Sequence, residues 1–513
     1  MQFYSAQFLL FVFVIWALYY TVCRRFQWIL LLIGSLTFYA LLGKEYIGVV
    51  LGLSVVIWLA SFIIGRMNLS FKEKKNKEGL SRDDKKKLKA AHTRSKRVLL
   101  IITIILAIGN LTLFKVLNIK NGLLLPIGIS FYTFQALSYF FDVYMDKYEY
   151  ERNYLRFLLF MTWFPQMIQG PISRYDSLGY QFRETHRFKF GDFKHACFLF
   201  SFGLLKKYAI ADVIVKTVTA SFENINEASG GTVLMGTLFS LVQLYCDFSG
   251  GIDMVLAISE FFGLKLKDNF NQPYFSSSLA DFWHRWHITL GDWMRDYIFY
   301  PLAVTKPMLG LMKWGSKHFG KTGRIFPAIV GNLVIFTLVG IWHGTGWNYV
   351  IWGFYNGVVI SIGELLKPAF QKMNQILHIR DGSAGLHVWR VIRTDFLVAV
   401  GELMVMVGNI TYFPIAVSHI FTRPDWRLAE FHNILYANLL KGAGSYMKVT
   451  FLVIALVVLV IRSVIKENCK DMRAWIERRN AITQSAILCA VIFVFLSAYI
   501  YQNVGGGFLY ANF

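Results

Sequence analysis

Long uncharged apolar runs alternate with short polar breaks along most of the chain. A bilayer-crossing helix needs about 20 largely apolar residues, with roughly 17 to 25 tolerated. Runs of this kind are predicted at 3–20, 26–42, 46–64, 98–113, 123–143, 326–342, 347–362, 449–461 and 482–501. Less clean ones occupy 154–167, 196–220, 232–264 and 396–421. The pattern predicts an all-α polytopic membrane protein with about 11–13 embedded helices, some short or re-entrant. The first run lacks a basic leading segment and a small-residue cleavage site, so it reads as a retained span. No internal repeat is visible, which counts against an inverted-repeat transporter.

The loops predict an orientation. Residues 66–97 hold thirteen Lys or Arg against four acidic residues, which places this loop in the cytoplasm of a plasma-membrane protein. Counting back three spans puts Met1 outside. Cys23-Arg24-Arg25 then falls inside and Gly43-Lys44-Glu45 outside, as the charge rule prefers. The basic segment itself reads as a solvated, partly helical linker, with a regulatory or lipid-binding role as the alternative.

One amphipathic stretch stands apart from the spans. If 281–301 (DFWHRWHITLGDWMRDYIFYP) is one helix, Trp283, Trp286, His287, Leu290, Trp293, Met294 and Tyr297 share an arc of about 120°. Asp281, Arg285, Asp292, Arg295 and Asp296 lie opposite, with Asp281–Arg285 and Asp292–Arg295 spaced to pair. Pro301 marks the predicted end. His284 borders the polar face, whereas His287 sits in the aromatic stripe. Burial there favours neutral imidazole, the form a general base needs. A core histidine satisfied by a backbone carbonyl is the alternative. His343 closes an uncharged run and meets Gly344-Thr345-Gly346. An ionisable residue inside a span is a functional candidate, with a histidine at the water boundary as the alternative.

Other polar islands are weaker. Residues 169–175 (QGPISRY) read as a turn at a membrane exit. Asp247 and Asp253 interrupt an apolar stretch and are expected to pair with Lys or Arg of another helix. Residues 269–274 (NFNQPY) read as an ordered loop leading into the amphipathic helix.

Composition narrows the function classes. Of 513 residues 55% are hydrophobic and 16% charged, against about a quarter charged in soluble domains. The net charge of +22 suits positive-inside loops and anionic headgroups. Nucleic-acid binding would need basic residues gathered on a folded soluble surface, and no such surface is visible. Five scattered cysteines without CxxC or zinc spacing indicate neither a disulfide framework nor a metal site.

Taken in order, QGPISRY, DFSGGIDM, NFNQPYFSSSLADFWHRWH, WMRDYIFYPL and IWHGTGWNYVIWGFYNG resemble the membrane-bound O-acyltransferase superfamily over about 123–366. The first three resemble its bacterial branch, which includes alginate O-acetyltransferases and teichoic acid D-alanyl transfer proteins. The spans beyond His343 and the aromatic end FLYANF look more like the alginate type, while the basic loop at 66–97 departs from both. The resemblance implies a ring of tilted helices around a thinned centre with a catalytic tunnel. Four regions follow: N-terminal helices at 1–64, a basic loop at 65–97, a catalytic core at 98–366 and C-terminal helices at 367–513.

By the same resemblance, His343 and His287 match the catalytic-site histidines. Trp283, Trp286, His284, Arg295, Asp296, Trp342, Asn348 and Asp247 are expected to line the site or tunnel. The implied reaction moves an acyl group, acetyl first among the choices, across the membrane to an exported polysaccharide or its carrier protein. Acetyl-CoA or an acyl or D-alanyl carrier protein would be the donor, with no bound cofactor and no metal. Membrane lipid and an extracytoplasmic acyl-transfer partner are the expected associates. D-alanyl transfer to teichoic acid and a non-catalytic transporter or flippase are the alternatives.

Overall fold

A computed structural model of the chain describes residues 5–76, 81–121, 125–380, 382–441, 444–469 and 471–500. The chain is 81% helical, with no strand among the described residues. Met1 and the FLYANF end lie outside the described residues. Among the described residues, six helical runs are long and apolar enough to cross a membrane: Gln27–Lys75, Arg82–Asn118, Gly230–Phe261, Phe326–His343, Trp347–Ile376 and Ser445–Cys469. Ala6–Tyr20 and Ala481–Ser497 are shorter apolar helices.

The helices fall into two compact units. The described residues of the first lie within 5–200 and 254–267. Helix α1 (Ala6–Tyr20) opens on Ser5, whose hydroxyl accepts the Phe8 N–H. At its other end Trp16 Nε1 and the Tyr20 hydroxyl both donate to the Phe261 carbonyl, at 3.1 and 3.0 Å. Helix α2 (Gln27–Gly43) is separated from α3 (Ile47–Lys75) by one tight turn at Lys44–Tyr46. Helices α3 and α4 (Arg82–Asn121) carry the basic segment, most of which is therefore helical. Helix α5 (Ile129–Tyr144) starts at Gly128, where φ is 71° and a Cβ would overlap the Met167 carbonyl oxygen. Only glycine fits there.

The run at 154–167 is two helices, α6 (Tyr154–Thr162) and α7 (Phe164–Ile168), because Trp163 is non-helical and Pro165 opens the second. The segment expected as a turn, 169–175, comes next. Gln169–Ser173 is buried and irregular, and Gln166 Nε2 satisfies it by donating to the Pro171 carbonyl (2.8 Å) and Ser173 Oγ (2.7 Å). Glu151 anchors the same region, accepting from Tyr175 Oη and Arg183, both at 2.6 Å. Helix α8 (Phe190–Leu204) runs out of this unit.

The described residues of the second unit lie within 201–253 and 268–500. A wide π-turn at Leu205–Ala211 leads into α9 (Asp212–Phe222), so the run at 196–220 is continuous but locally unwound. Helix α10 (Gly230–Phe261) follows, then the short α11 (Leu279–Arg285), α12 (Ile288–Met294) and α13 (Tyr300–Ala303). Next come α14 (Lys306–Gly323), α15 (Phe326–His343) and α16 (Trp347–Ile376). The run at 396–421 is divided between α17 (Ala384–Met406) and α18 (Tyr412–Thr422). Helices α19 (Ala429–Leu435), α20 (Ser445–Cys469), α21 (Met472–Glu477) and α22 (Ala481–Ile500) complete the described residues. One part of the core gathers Ile225, Ala228, Val233, Leu403, Val407 and Ala416.

Candidate active site

The stretch at 281–301 is not one helix. Ser278 caps α11 by accepting the Asp281 N–H at 3.1 Å, but the helix ends at Arg285. Trp286 is extended (φ −104°, ψ 128°) and His287 is left-handed (φ 46°, ψ 50°). The loop before α11 causes the break. Asn271 N–H donates to the Arg285 carbonyl (2.9 Å) and Ile288 N–H to the Asn269 carbonyl (3.0 Å), which draws both groups out of the helical ladder. Phe270 and Trp286 thus form an antiparallel bridge. The predicted end at Pro301 is corrected too. A π-turn at Arg295–Phe299, closed by Tyr300 N–H on the Arg295 carbonyl, carries the helix on through Ala303 with Pro301 in the first turn of α13.

Burial nevertheless sorts much as the helical wheel predicts. Trp286, His287, Leu290, Trp293 and Met294 are buried, whereas His284 and Arg295 are exposed. Arg285 pairs with Asp281 at 3.0 Å and Arg295 with Asp292 at 2.8 Å.

Asn269 sets the state of His287. Its Oδ1 accepts the Thr289 N–H at 3.0 Å and the Thr289 hydroxyl at 2.9 Å, and faces His287 Nδ1 at 3.3 Å. A backbone N–H can only donate, so the Asn269 atom is oxygen, Nδ1 carries hydrogen and Nε2 carries the lone pair. Phe248 packs edge-on against the ring at 4.9 Å. His287 lies outside the six spans and is 3% exposed. Burial, with a smaller contribution from His343, pulls its pKa down to about 3, so the ring is neutral at physiological pH.

His343 is the last residue of α15, half-buried, beside the Gly344–Gly346 turn. Helices α15 and α16 form a hairpin in backbone contact. A Cβ on Gly340 would overlap the Tyr349 carbonyl oxygen, and one on Gly353 the Phe336 carbonyl oxygen. Backbone therefore sets where His343 stands. Trp342 is buried, its ring 6.4 Å from that of His287 and 4.6 Å from that of His343. Trp352 meets His343 edge-on at 5.3 Å and Trp283 at 5.7 Å. Asn356 locks this wall, accepting from Trp283 Nε1 at 3.0 Å and donating to the Trp352 carbonyl at 2.8 Å. Both imidazoles thus meet the Trp342 ring, with Phe248 also against His287 and Trp352 against His343.

Of the residues expected to line the site, Trp283 and Trp342 belong to this wall. Trp286 lies behind it, stacked on Phe282 at 5.5 Å and edge-on to Phe270 at 5.0 Å. Asn348 is buried at the start of α16, with Nδ2 3.4 Å from the Val405 carbonyl. His284 turns outward and donates through Nδ1 to the Ala280 carbonyl at 2.7 Å. Arg295 and Asp296 pair with each other at 3.1 Å on the polar side.

Asp247 is buried in an ion pair with Lys207, which also meets Asp212 at 2.8 Å. Asp253 pairs with Lys206 at 2.7 Å and Arg462 at 3.3 Å. Both aspartates therefore find the cations expected of another helix. Sequence reading missed their partners, although two adjacent lysines inside an apolar run were a visible signal. It also left Asn269, Phe248, Trp352 and Asn356 out of the site. Among the described residues, no group of three His, Cys, Asp or Glu is arranged to hold a metal.

Comparison with known proteins bears on the chemistry. The sequence pattern of the membrane-bound O-acyltransferase family matches residues 146–380, which include both histidines. The probable alginate O-acetylase AlgI of Pseudomonas aeruginosa is 30% identical over 473 residues, covering 88% of this chain and 80% of that protein. The peptidoglycan O-acetyltransferase of Helicobacter pylori is 29% identical over 429 residues, 76% of this chain and 75% of that one. The teichoic acid D-alanyltransferase of Bacillus subtilis is 26% identical over 264 residues, 50% of this chain and 62% of that one. With its apolar helices and this likeness along most of its length, the chain belongs to the membrane-bound O-acyltransferase family and is a multi-pass membrane acyltransferase.

Proposed function

We propose that this acyltransferase moves an acetyl group from a cytoplasmic thioester, acetyl-CoA first among the candidates, to a hydroxyl of an exported polysaccharide or of its carrier protein. The contact of both His287 and His343 with the Trp342 ring supports this reading most directly. His343 takes the proton of the acceptor hydroxyl as its oxygen attacks the acyl carbonyl carbon. The new C–O bond forms, the C–S bond breaks, and the proton passes from His343 to the departing thiolate. The positive charge His343 holds in between is offset by the carbonyl end of α15. His287 stays neutral, fixed by Asn269, and positions the acceptor through its Nε2 lone pair. The surrounding rings exclude water that would otherwise hydrolyse the thioester.

The match to O-acetylating relatives over more of the chain favours acetyl over D-alanyl as the group carried. The test is turnover of labelled acetyl-CoA by the purified protein in lipid, with His343→Ala and His287→Ala alongside. Each folded variant should lose about 10² or more, the range of general-base catalysis. Turnover untouched by either substitution would remove the site. Wild type that ignores acetyl-CoA but accepts a carrier-linked acyl group would reassign the donor.

A further inference from the structure

The basic segment takes no part in the acyl-transfer site, yet it builds a cavity. Helix α3 has 29 residues and α4 has 40, roughly 43 and 60 Å of helix against about 30 Å of hydrocarbon. Both must therefore run past the apolar layer or tilt strongly. Where apolar sequence gives way to basic, the two helices enclose an open groove of about 500 Å³.

Its lining changes character along its length. Phe62, Arg66, Ser70 and Lys74 follow at four-residue intervals on one face of α3. Phe71 and His92 close the space between the helices, their rings stacked at 4.3 Å and 7°. The groove is thus greasy at one end and cationic at the other, with a hydroxyl between the two cations. Neighbouring cations are already engaged. Lys72 pairs with Asp146 at 2.7 Å, and Lys96 donates to the Tyr144 carbonyl at 2.6 Å. Arg66 and Lys74 are exposed and have no ion-pair partner among the described residues.

We propose that this groove binds one anionic phospholipid of the cytoplasmic leaflet, its phosphate between Arg66 and Lys74 and an acyl chain along Phe62. Charge complementarity selects the occupant. Thirteen basic residues against four acidic at 66–97 meet a leaflet rich in anionic headgroups. The apolar end distinguishes a lipid from a soluble anion, which would gain nothing there.

The test uses the full chain, delipidated in detergent and titrated with phosphatidylglycerol, phosphatidylcholine or inorganic phosphate, with binding read by native mass spectrometry. Phosphatidylglycerol should bind about tenfold or more tighter than phosphatidylcholine, and Arg66→Ala with Lys74→Ala should abolish that preference. Ala91→Trp, which fills the groove without removing charge, should do the same. Lys85→Ala with Lys86→Ala removes equal charge outside the groove and should leave the preference in place. Equal loss from both charge pairs would overturn the site in favour of diffuse attraction. Displacement of the lipid by inorganic phosphate at similar concentration would overturn it in favour of a small-anion site.

Discussion

At φ 46°, His287 holds a backbone conformation that glycine tolerates and a side chain strains. Hydrogen bonds from both sides of the break impose it, so the strain is tied to the ring's position. Two predictions follow for this residue. His287→Gly should be more stable than His287→Ala by about 1 kcal/mol, reversing the usual order, in thermal unfolding of the purified protein. The second concerns acid. With the folded pKa near 3 and the unfolded value near 6.5, the unfolded chain binds the proton between them and the folded chain does not. Stability therefore rises with pH across that window and is lost as pH falls below about 6.5, at up to about 1.4 kcal/mol per unit. His287→Asn, which tolerates the backbone and does not titrate, should lose less than wild type between pH 7 and 5 in denaturant unfolding. Equal acid sensitivity in the two proteins would mean that the histidine is not held neutral.

Elements carry the buried charges. Lys207 stands on the π-turn at Leu205–Ala211, facing carboxylates from α9 and α10. Removing one member strands the rest, at a cost of about 3–5 kcal/mol. Lys207→Met should therefore lower thermal stability sharply, and Lys207→Met with Asp247→Leu should recover part of the loss in the same measurement. How much of this was legible follows from the range of the interactions involved. Helices α15, α16 and α20 could be read directly, because some twenty apolar residues in a row have few alternatives. The breaks could not. Trp286 and His287 leave the helix because Asn269 and Asn271, fifteen or more residues earlier, take their neighbours' hydrogen bonds. The wheel still sorted most side chains, since α11 and α12 each keep the helical period. It set Trp283 apart from Arg295 and Asp296, but Asn269, Phe248 and Trp352, which touch the histidines, lie outside 281–301 and beyond its reach.

At the scale of the molecule, likeness to the probable alginate O-acetylase of Pseudomonas aeruginosa extends well beyond the matched family segment, to 88% of the chain. The charge of the 66–97 segment predicts that it faces the cytoplasm. With the five native cysteines changed to serine, Lys86→Cys should react with a membrane-impermeant maleimide only after cells are permeabilised. Labelling of intact cells would invert the topology and move the proposed lipid site to the other leaflet. The ion network has a different kind of consequence. Lys206, Lys207 and Arg462 answer Asp212, Asp247 and Asp253, three charges against three. Such a set is hard to alter one letter at a time, because each single replacement leaves an opposite charge without its match. Descendants of this sequence should therefore keep these positions or exchange them in couples, so that residues far apart in the chain drift together.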